Sequence, residues 1–349
     1  MKRSAFTLVE LLVVIVVIGL LAAILMVAVG AAREAARRGQ CITRQRDLAI
    51  AMADYSVANN GLPGYLNQLG ATPPHSWVVA VMPGIGETKR YEVWMRTPPI
   101  PPPPPPSNYL AYRAWCETYP EGQQAIAPLP ALLCPSHNPR ESNRLSYVVN
   151  CGPNEQVGQN ITVTGDQAPH FTLFKDRRTF ALPDFPAVNL ASINIKVPIE
   201  DIPDGASNTI LLSENVDDRN VENSIVGRVW HDNWTSPKYV PNSLPTSPSP
   251  EIPTRSIAAI ENLGFVWTRL SSLHLHPNSS SSSEAYTVPN NIPRPLSRHP
   301  GTVVVAYADG RAEALNDDIA IDVWLRLVCP DDERARLPVN AGGLGLLGL

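Results

Sequence analysis

The chain of 349 residues carries little charge and contains no long block of like charge. Lys, Arg, Asp and Glu make up 17% of it, and the formal net charge at pH 7 is -4. Non-specific binding to nucleic acid needs a surface of clustered basic residues, so we expect no nucleic-acid partner. The P-loop pattern for phosphates and the Gly-x-Ser-x-Gly elbow of serine hydrolases are both missing. We therefore expect a protein that is not an enzyme.

The five cysteines show none of the close paired spacing that structural zinc sites usually have. His137 lies close to Cys134, but no second pair accompanies them, and we expect no metal and no cofactor. In an exported chain the thiols meet oxidising conditions, which favour disulfides. The odd number leaves one thiol free or paired between molecules, and the sequence leaves the connectivity open. The candidate disulfide cysteines are Cys41, Cys116, Cys134 and Cys151, with Cys329 as the fifth.

Proline is abundant, with 36 residues. Because proline lacks a backbone donor and breaks helix interiors, this composition favours a loop-rich β or α+β domain over a helical bundle. The proline run after Pro98 predicts a polyproline II segment. Two further stretches, Pro241 to Pro253 and Ser279 to Ser283, predict low-complexity loops exposed to solvent.

One long apolar run begins close to the N-terminus. Met1 to Ala5 is short and basic, and the residues from Phe6 to Ala32 include a single ionisable side chain, Glu10. At about 1.5 Å per residue, the uncharged stretch from Leu11 to Ala32 is long enough to cross a hydrocarbon core of roughly 30 Å. No small-residue cleavage site of a secretory signal follows it. The run therefore predicts a membrane-spanning helix.

Glu10 makes this helix unusual, because a carboxylate in lipid costs about 2.5–3.5 kcal/mol on insertion scales. The run from Phe6 to Ile15 (FTLVELLVVI) resembles the cleavage and methylation motif of type IV prepilins. The resemblance implies that a membrane peptidase cuts between Ala5 and Phe6 and methylates the new amino group of Phe6. It also implies that Glu10 pairs with the amino terminus of a neighbouring subunit. Ala5 stands where that family usually has Gly. The alternative is an ordinary signal anchor.

The helix is expected to continue beyond the membrane as a spine. The segment from Ala31 to Ala58 contains no proline, and Asn59-Asn60-Gly61 supplies a stop signal at its end. Apolar residues recur on one helical face. This stripe predicts that the second half of the helix packs against a head domain, and its members are Cys41, Leu48, Met52 and Tyr55.

The rest of the chain predicts strands and turns. Thr209 to Leu212 is an apolar run behind an Asp-Gly turn cluster, which indicates a buried strand. Thr302 to Tyr307 is a β-branched and apolar run, and Asp309-Gly310 predicts a tight turn into a second strand, Arg311 to Leu315. Asp318 to Val328 is amphipathic and predicts a closing helix. The expected fold class is α+β, with a long N-terminal transmembrane and spine helix packed on a mainly antiparallel sheet and long Pro/Ser-rich loops.

Several blocks of the chain resemble a family of bacterial pseudopilin-like proteins with a C-terminal domain of unknown function. The principal blocks are Arg33 to Cys41, Ser76 to Pro83, Leu132 to Ser136, Ile202 to Glu214, and Ser297 to Leu325 in several pieces. The resemblance implies a leader at 1–5, a transmembrane and spine helix at 6–58, and an extracytoplasmic head at 59–337. A flexible Gly/Leu tail would occupy 338–349.

Two functions remain open at this point. The first is a minor pilin or pseudopilin in the inner membrane, a single-pass protein whose partners are prepilin peptidase/N-methyltransferase, other pilin or pseudopilin subunits and the lipid bilayer. Such a subunit would serve a type IV pilus or a type II secretion system. The second is a membrane-tethered extracytoplasmic module that binds a polysaccharide, a peptide or a small solute. Its binding surface would be formed by exposed tryptophans, for which the candidates are Trp77, Trp94, Trp115, Trp230, Trp234 and Trp267.

Overall fold

The structure is a computed structural model of the chain. It describes residues 8–67, 75–95, 120–125, 127–137, 145–153, 173–174, 176–177, 196–216, 264–267, 277 and 295–332. Several predicted features lie outside these residues. They are the leader and Phe6, Cys116, the proline run after Pro98, the loops at 241–253 and 279–283, and the tail at 338–349.

Helix α1 runs without interruption from Leu8 to Asn59, a length of 52 residues. Its apolar side chains are exposed as far as Val29, whereas the buried residues of the helix begin at Cys41. Among the described residues it is the one helix with the length and composition to cross a membrane. It ends as predicted, because Asn60 adopts a left-handed conformation with φ of 54° and the Gly61 N–H donates to the Ser56 carbonyl at 2.8 Å.

The remaining regular elements are short. The helices are α2 (Trp77–Val81), α3 (Thr88–Met95), α4 (Pro120–Ala125) and α5 (Ile321–Val328), with 3-10 turns at Met82–Ile85, Pro130–Leu132 and Ile199–Asp201. The strands are β1 (Leu66–Asn67), β2 (His75–Ser76), β3 (Tyr147–Pro153), β4 (Asp176–Arg177), β5 (Ile210–Glu214), β6 (Gly264–Trp267), β7 (Thr302–Tyr307) and β8 (Ala312–Asn316).

The main sheet has the strand order β6-β3-β5-β7-β8. Strands β3, β5, β7 and β8 pair antiparallel, and β6 joins the edge parallel to β3. A small second sheet has the order β2-β1-β4. The predicted α+β class, with a long helix on a mainly antiparallel sheet, is confirmed.

Helices cover both faces of the main sheet. Leu48 and Met52 of α1 pack in one apolar cluster with Val304. Val303 and Trp324 belong to a second cluster on the opposite face, which α5 covers. Successive side chains of a strand point to opposite faces, so a strand buried on both faces is apolar throughout. This explains the uninterrupted β-branched run of β7.

The predicted hairpin is confirmed, with Val303 of β7 opposite Leu315 of β8. Gly310 has a φ of 86°, a conformation that a residue with a Cβ rarely adopts. The Asp309 carboxylate accepts the Arg311 N–H at 2.9 Å and closes the turn. The predicted buried strand after Asn208 is also present as β5. The closing helix α5 is shorter than expected, since Ala320 still has an extended ψ of 135°.

The 3-10 turn Met82–Ile85 lies directly against α1. At Gly84 the backbone approaches so closely that a Cβ would lie 2.8 Å from the Ala51 Cβ and 3.1 Å from the Ala51 Cα. Only glycine allows this approach. The turn and the sheet therefore hold the second half of α1 between them.

Candidate functional site

Four side chains from distant parts of the chain meet in the interior where α1 enters the head. Cys41 comes from α1, Cys134 from the turn after Leu132, Glu214 from the end of β5, and His299 from the loop before β7. Their potential ligand atoms all lie within 4.8 Å of one another, and all four residues are buried. We refer to these residues as the four-residue cluster.

Each member is fixed by its local structure. Cys41 lies on the apolar stripe of α1, and the neighbouring buried Gln45 donates from Nε2 to the Val304 carbonyl at 2.9 Å. The Cys134 carbonyl accepts the His137 N–H at 2.9 Å, which closes a turn. The His299 N–H donates to the Ser297 hydroxyl at 3.0 Å. The sequence thus builds the cluster on a helix, a strand end and two hydrogen-bonded turns.

The contacts within the cluster are close. The Cys41 thiol donates to Glu214 Oε1 at 2.5 Å. His299 Nε2 lies 3.3 Å from Cys134 Sγ and 3.5 Å from the same Glu214 oxygen. Two sulfurs, one ring nitrogen and one carboxylate oxygen therefore face a common point.

A second layer of groups holds these four side chains in place. On the far side of the imidazole, His299 Nδ1 lies 2.6 Å from Glu34 Oε1. The Ser136 hydroxyl reaches both oxygens of Glu34, at 3.1 and 3.2 Å. The Tyr147 hydroxyl lies 3.2 Å from Cys41 Sγ. The second oxygen of the cluster glutamate is also occupied, because the Val304 N–H donates to it at 3.2 Å.

The electrostatics of the site are dominated by acidic groups around one imidazole. Burial alone would lower the pKa of His299, but contacts with Cys134, Glu214 and Glu34 raise it to about 10. Burial also opposes ionisation of the carboxylates of Glu34 and Glu214. The contacts with His299, together with hydrogen bonds from Ser136 to Glu34 and from Cys41 to Glu214, outweigh this and hold both pKa values below normal. The hydrogen bond with Cys41 lowers the pKa of Cys134 to about 7, and burial raises that of Cys41. A positive charge is thus strongly favoured at the centre of the site.

Two chemistries could use this arrangement. The order Cys134, His299, Glu34 resembles a thiol nucleophile with its base and orienting carboxylate. However, Cys134 is 1% exposed and His299 2% exposed, and Cys41 and Glu214 surround the same sulfur. A substrate has no approach to it through the described residues. A metal ion is small and does not need an open path of the size that a substrate needs. Two thiolates, an imidazole and a carboxylate are ligands that Zn²⁺ takes in proteins.

No predicted disulfide is confirmed among the described residues, and Cys116 lies outside them. Cys41, Cys134, Cys151 and Cys329 are all buried free thiols, and no disulfide joins any described residues. Cys41 and Cys134 face His299 and Glu214 instead. We missed this cluster in the sequence because we looked for closely spaced pairs of ligands, whereas its members come from four separate segments. A usable signal was present, since one member lies in each of four blocks that carried the family resemblance.

The predicted assembly residue Glu10 lies on the exposed, apolar half of α1. It is surrounded in sequence by exposed apolar side chains, among them Val9 and Leu11. The predicted processing residues, Ala5 and Phe6, fall outside the described residues. The exposed apolar half of α1 that bears Glu10 is therefore separate from the four-residue cluster, to which α1 contributes Cys41.

Comparison with known proteins places this architecture in a family. The model described as "Protein of unknown function (DUF1559)" matches residues 30–322, which is most of the chain. The chain belongs to the DUF1559 family. The model described as "Prokaryotic N-terminal methylation motif" matches residues 1–26 of this DUF1559 protein. Searches of curated proteins and of solved structures find no match to it.

These matches confirm the resemblance drawn from the sequence. The DUF1559 protein is type IV pilin-like: it carries a prepilin-type methylation motif on a helix long enough to anchor in a membrane, followed by the family domain. Glu10 lies within the methylation motif. All members of the four-residue cluster lie within the family domain.

Proposed function

We propose that this DUF1559 protein is a minor pilin or pseudopilin, anchored in the inner membrane and processed by prepilin peptidase. The observation that carries the proposal is the continuity of α1, whose exposed apolar half bears Glu10 and whose other half is built into the head. Other subunits of a pilus or of a secretion pseudopilus would be its assembly partners.

The exposed half of α1 needs a covering in the assembled state. From Leu8 to Val29 its large apolar side chains are exposed, which in water would be an aggregation hazard. A bilayer covers such a helix, and so do the equivalent helices of neighbouring subunits in a filament. The same surface therefore serves the protein before and after it leaves the membrane.

Glu10 gives this helix a specific contact. A carboxylate in an apolar bundle is unfavourable unless a positive group neutralises it. Cleavage between Ala5 and Phe6 would create a new amino terminus at Phe6, a few residues before Glu10 in the sequence. In a neighbouring subunit that amine is available to pair with Glu10. The pairing offsets the cost of the buried charge and sets the stagger between subunits.

The alternative of a tethered binding module receives less support. It relied on six tryptophans as exposed stacking surfaces. Trp115, Trp230 and Trp234 lie outside the described residues, whereas Trp77 and Trp94 are fully buried in the head. They pack in the same apolar cluster as Leu48 and Met52 of α1. Their role is to hold the spine helix, which is what a filament subunit requires.

The first test is intact-mass measurement and N-terminal sequencing of the protein purified from its native membrane. We expect a chain that begins at methylated Phe6. A chain that still begins at Met1 would contradict the proposal and favour the tethered binding module. This test addresses processing alone, so assembly needs a second experiment.

Assembly is tested by Glu10→Ala, with Val9→Ala as the matched control at the neighbouring exposed position. We expect both variants to insert in the membrane and to be processed. Glu10→Ala should then fail to crosslink to other pilin-like subunits, while Val9→Ala crosslinks like the unmodified protein. Equal crosslinking of the two variants would show that the carboxylate has no part in assembly.

A further inference from the structure

We propose that the four-residue cluster binds a single Zn²⁺ ion, which ties the spine helix α1 to the head. The proposal rests on the geometry of the cluster and is independent of filament assembly. It assigns a metal site to a protein whose sequence spacing indicates none.

The spacing of the ligand atoms is close to that of a tetrahedral site. With Zn–S of about 2.3 Å and Zn–N or Zn–O of about 2.0 Å, tetrahedral ligand atoms lie about 3.3–3.8 Å apart. The distances from His299 Nε2 to Cys134 Sγ and to Glu214 Oε1 are 3.3 and 3.5 Å. The closest pair, Cys41 Sγ and Glu214 Oε1 at 2.5 Å, would separate by about 1 Å once the thiol proton is replaced by the ion.

The outer layer matches what a metal-binding histidine requires. A ligating imidazole usually donates its other N–H to a carboxylate, which orients the ring and strengthens the ligand. His299 has this partner in Glu34 at 2.6 Å. Glu214 is oriented in the same way, because the Val304 N–H occupies Oε2 and leaves Oε1 directed into the cluster. The ligand atoms of all four residues therefore converge.

The choice of ion follows from the ligand types. Thiolate and imidazole ligands select Zn²⁺ and related transition metals over Mg²⁺ and Ca²⁺, which prefer oxygen. Two thiolates and the Glu214 carboxylate bring three negative charges into a buried site, and the divalent ion offsets most of this charge. A closed set of four protein ligands is typical of structural rather than catalytic zinc.

The principal competitor is a disulfide between Cys41 and Cys134. Their sulfurs lie within 4.8 Å of each other, whereas a disulfide needs about 2.05 Å. A disulfide would use two of the four groups and leave Glu214 and His299 without a role at the centre. Zinc uses all four. The two outcomes are mutually exclusive, since a disulfide has no thiolate to give to the metal.

The experiment uses the full chain, purified in detergent with neither chelator nor added reductant. Elemental analysis should find about one zinc per chain, and native mass spectrometry should find the thiols of Cys41 and Cys134 unoxidised. Exchange of zinc for Co²⁺ should produce thiolate-to-cobalt charge-transfer absorption and the intense visible bands of a tetrahedral site. These signals identify the ligands as well as the metal.

Variants separate ligands from bystanders. Cys41→Ser, Cys134→Ser and His299→Gln should each lose the metal and the cobalt spectrum. The matched controls change buried cysteines and a buried histidine outside the cluster, and they are Cys151→Ser, Cys329→Ser and His137→Gln. These control variants should keep the metal and the cobalt spectrum.

A further variant guards against simple misfolding. Glu34→Gln keeps all four ligands and should keep the tetrahedral cobalt spectrum, with zinc affinity lowered about 10–100-fold. Two results would overturn the proposal. One is a Cys41–Cys134 disulfide in the purified protein. The other is an unmodified chain, reduced and folded, that takes up neither zinc nor cobalt.

Discussion

The contact between Gly84 and Ala51 allows a quantitative test of how α1 is held by the head. In Gly84→Ala the new Cβ would lie 2.8 Å from the Ala51 Cβ, so the turn Met82–Ile85 or the helix must shift. Overpacking of this kind costs about 1–3 kcal/mol of unfolding free energy. Ala51→Gly alone should cost about 1–2 kcal/mol, because it removes a buried methyl and places glycine in a helix.

The double variant carries the decisive information. With Gly at 51 the closest contact, that with the Ala51 Cβ at 2.8 Å, is gone, and the contact with the Cα of residue 51 at 3.1 Å remains. We expect the double variant to be about 1–2 kcal/mol more stable than the sum of the single effects predicts. Denaturant unfolding of the full chain in detergent, followed by the fluorescence of its buried tryptophans, measures all four free energies.

A control and a refuting outcome are both available. Gly39 is exposed on α1, and a Cβ added to it would have nothing within 4 Å, so Gly39→Ala should raise stability by about 0.5–1 kcal/mol. Two results would refute this reasoning: Gly84→Ala is as stable as the unmodified protein, or its effect on the unfolding free energy is simply additive with that of Ala51→Gly. Either result would show that the turn Met82–Ile85 is not tightly packed against α1 at this point.

Three other regions give predictions of their own. Gly310→Ala should cost about 1 kcal/mol in the same unfolding assay, because φ is 86° in the hairpin turn. Burial raises the pKa of Asp204 from 3.8 to about 6, so the folded chain binds the proton more tightly and stability should fall as pH rises between these two values. Asp204→Asn should remove that part of the dependence in thermal unfolding at several pH values. If the four-residue cluster holds zinc, alkylation of Cys41 and Cys134 should accelerate after chelation, while alkylation of Cys151 stays unchanged; equal acceleration at all three would indicate general unfolding.

Local signals in the sequence were enough to predict much of the fold. The proline-free run and its Asn-Asn-Gly stop predicted α1, which ends at Asn59. The Asp309-Gly310 pair predicted the hairpin because this turn needs a residue with positive φ. The predicted start of α5 was too early, since Asp318 to Ala320 continue the amphipathic pattern and yet Ala320 keeps an extended backbone. Propensity does not determine where a short helix begins when the preceding loop is held by the sheet.

The four-residue cluster was beyond the reach of sequence spacing. Spacing rules detect metal sites in which ligands come in pairs on one short loop. Here each ligand comes from a different segment, and Cys134 and His299 are separated by 165 positions. They meet only because β5 and β7 are neighbours in the sheet and α1 crosses both. Local sequence patterns predict single strands, but they do not show which distant segments meet in the folded chain, and so they could not predict the four-residue cluster.

The strand order has a consequence for when the head can fold as the chain is made. Helix α1 is the first part of the chain to be made, but the strand on which it packs, β7, is among the last. Until β7 has been made, β5 lacks one of its two neighbouring strands and α1 lacks its main partner surface. Contacts between chain ends that are so far apart form slowly. The head therefore cannot complete its sheet, or the surface on which α1 packs, until almost all of the chain has been made.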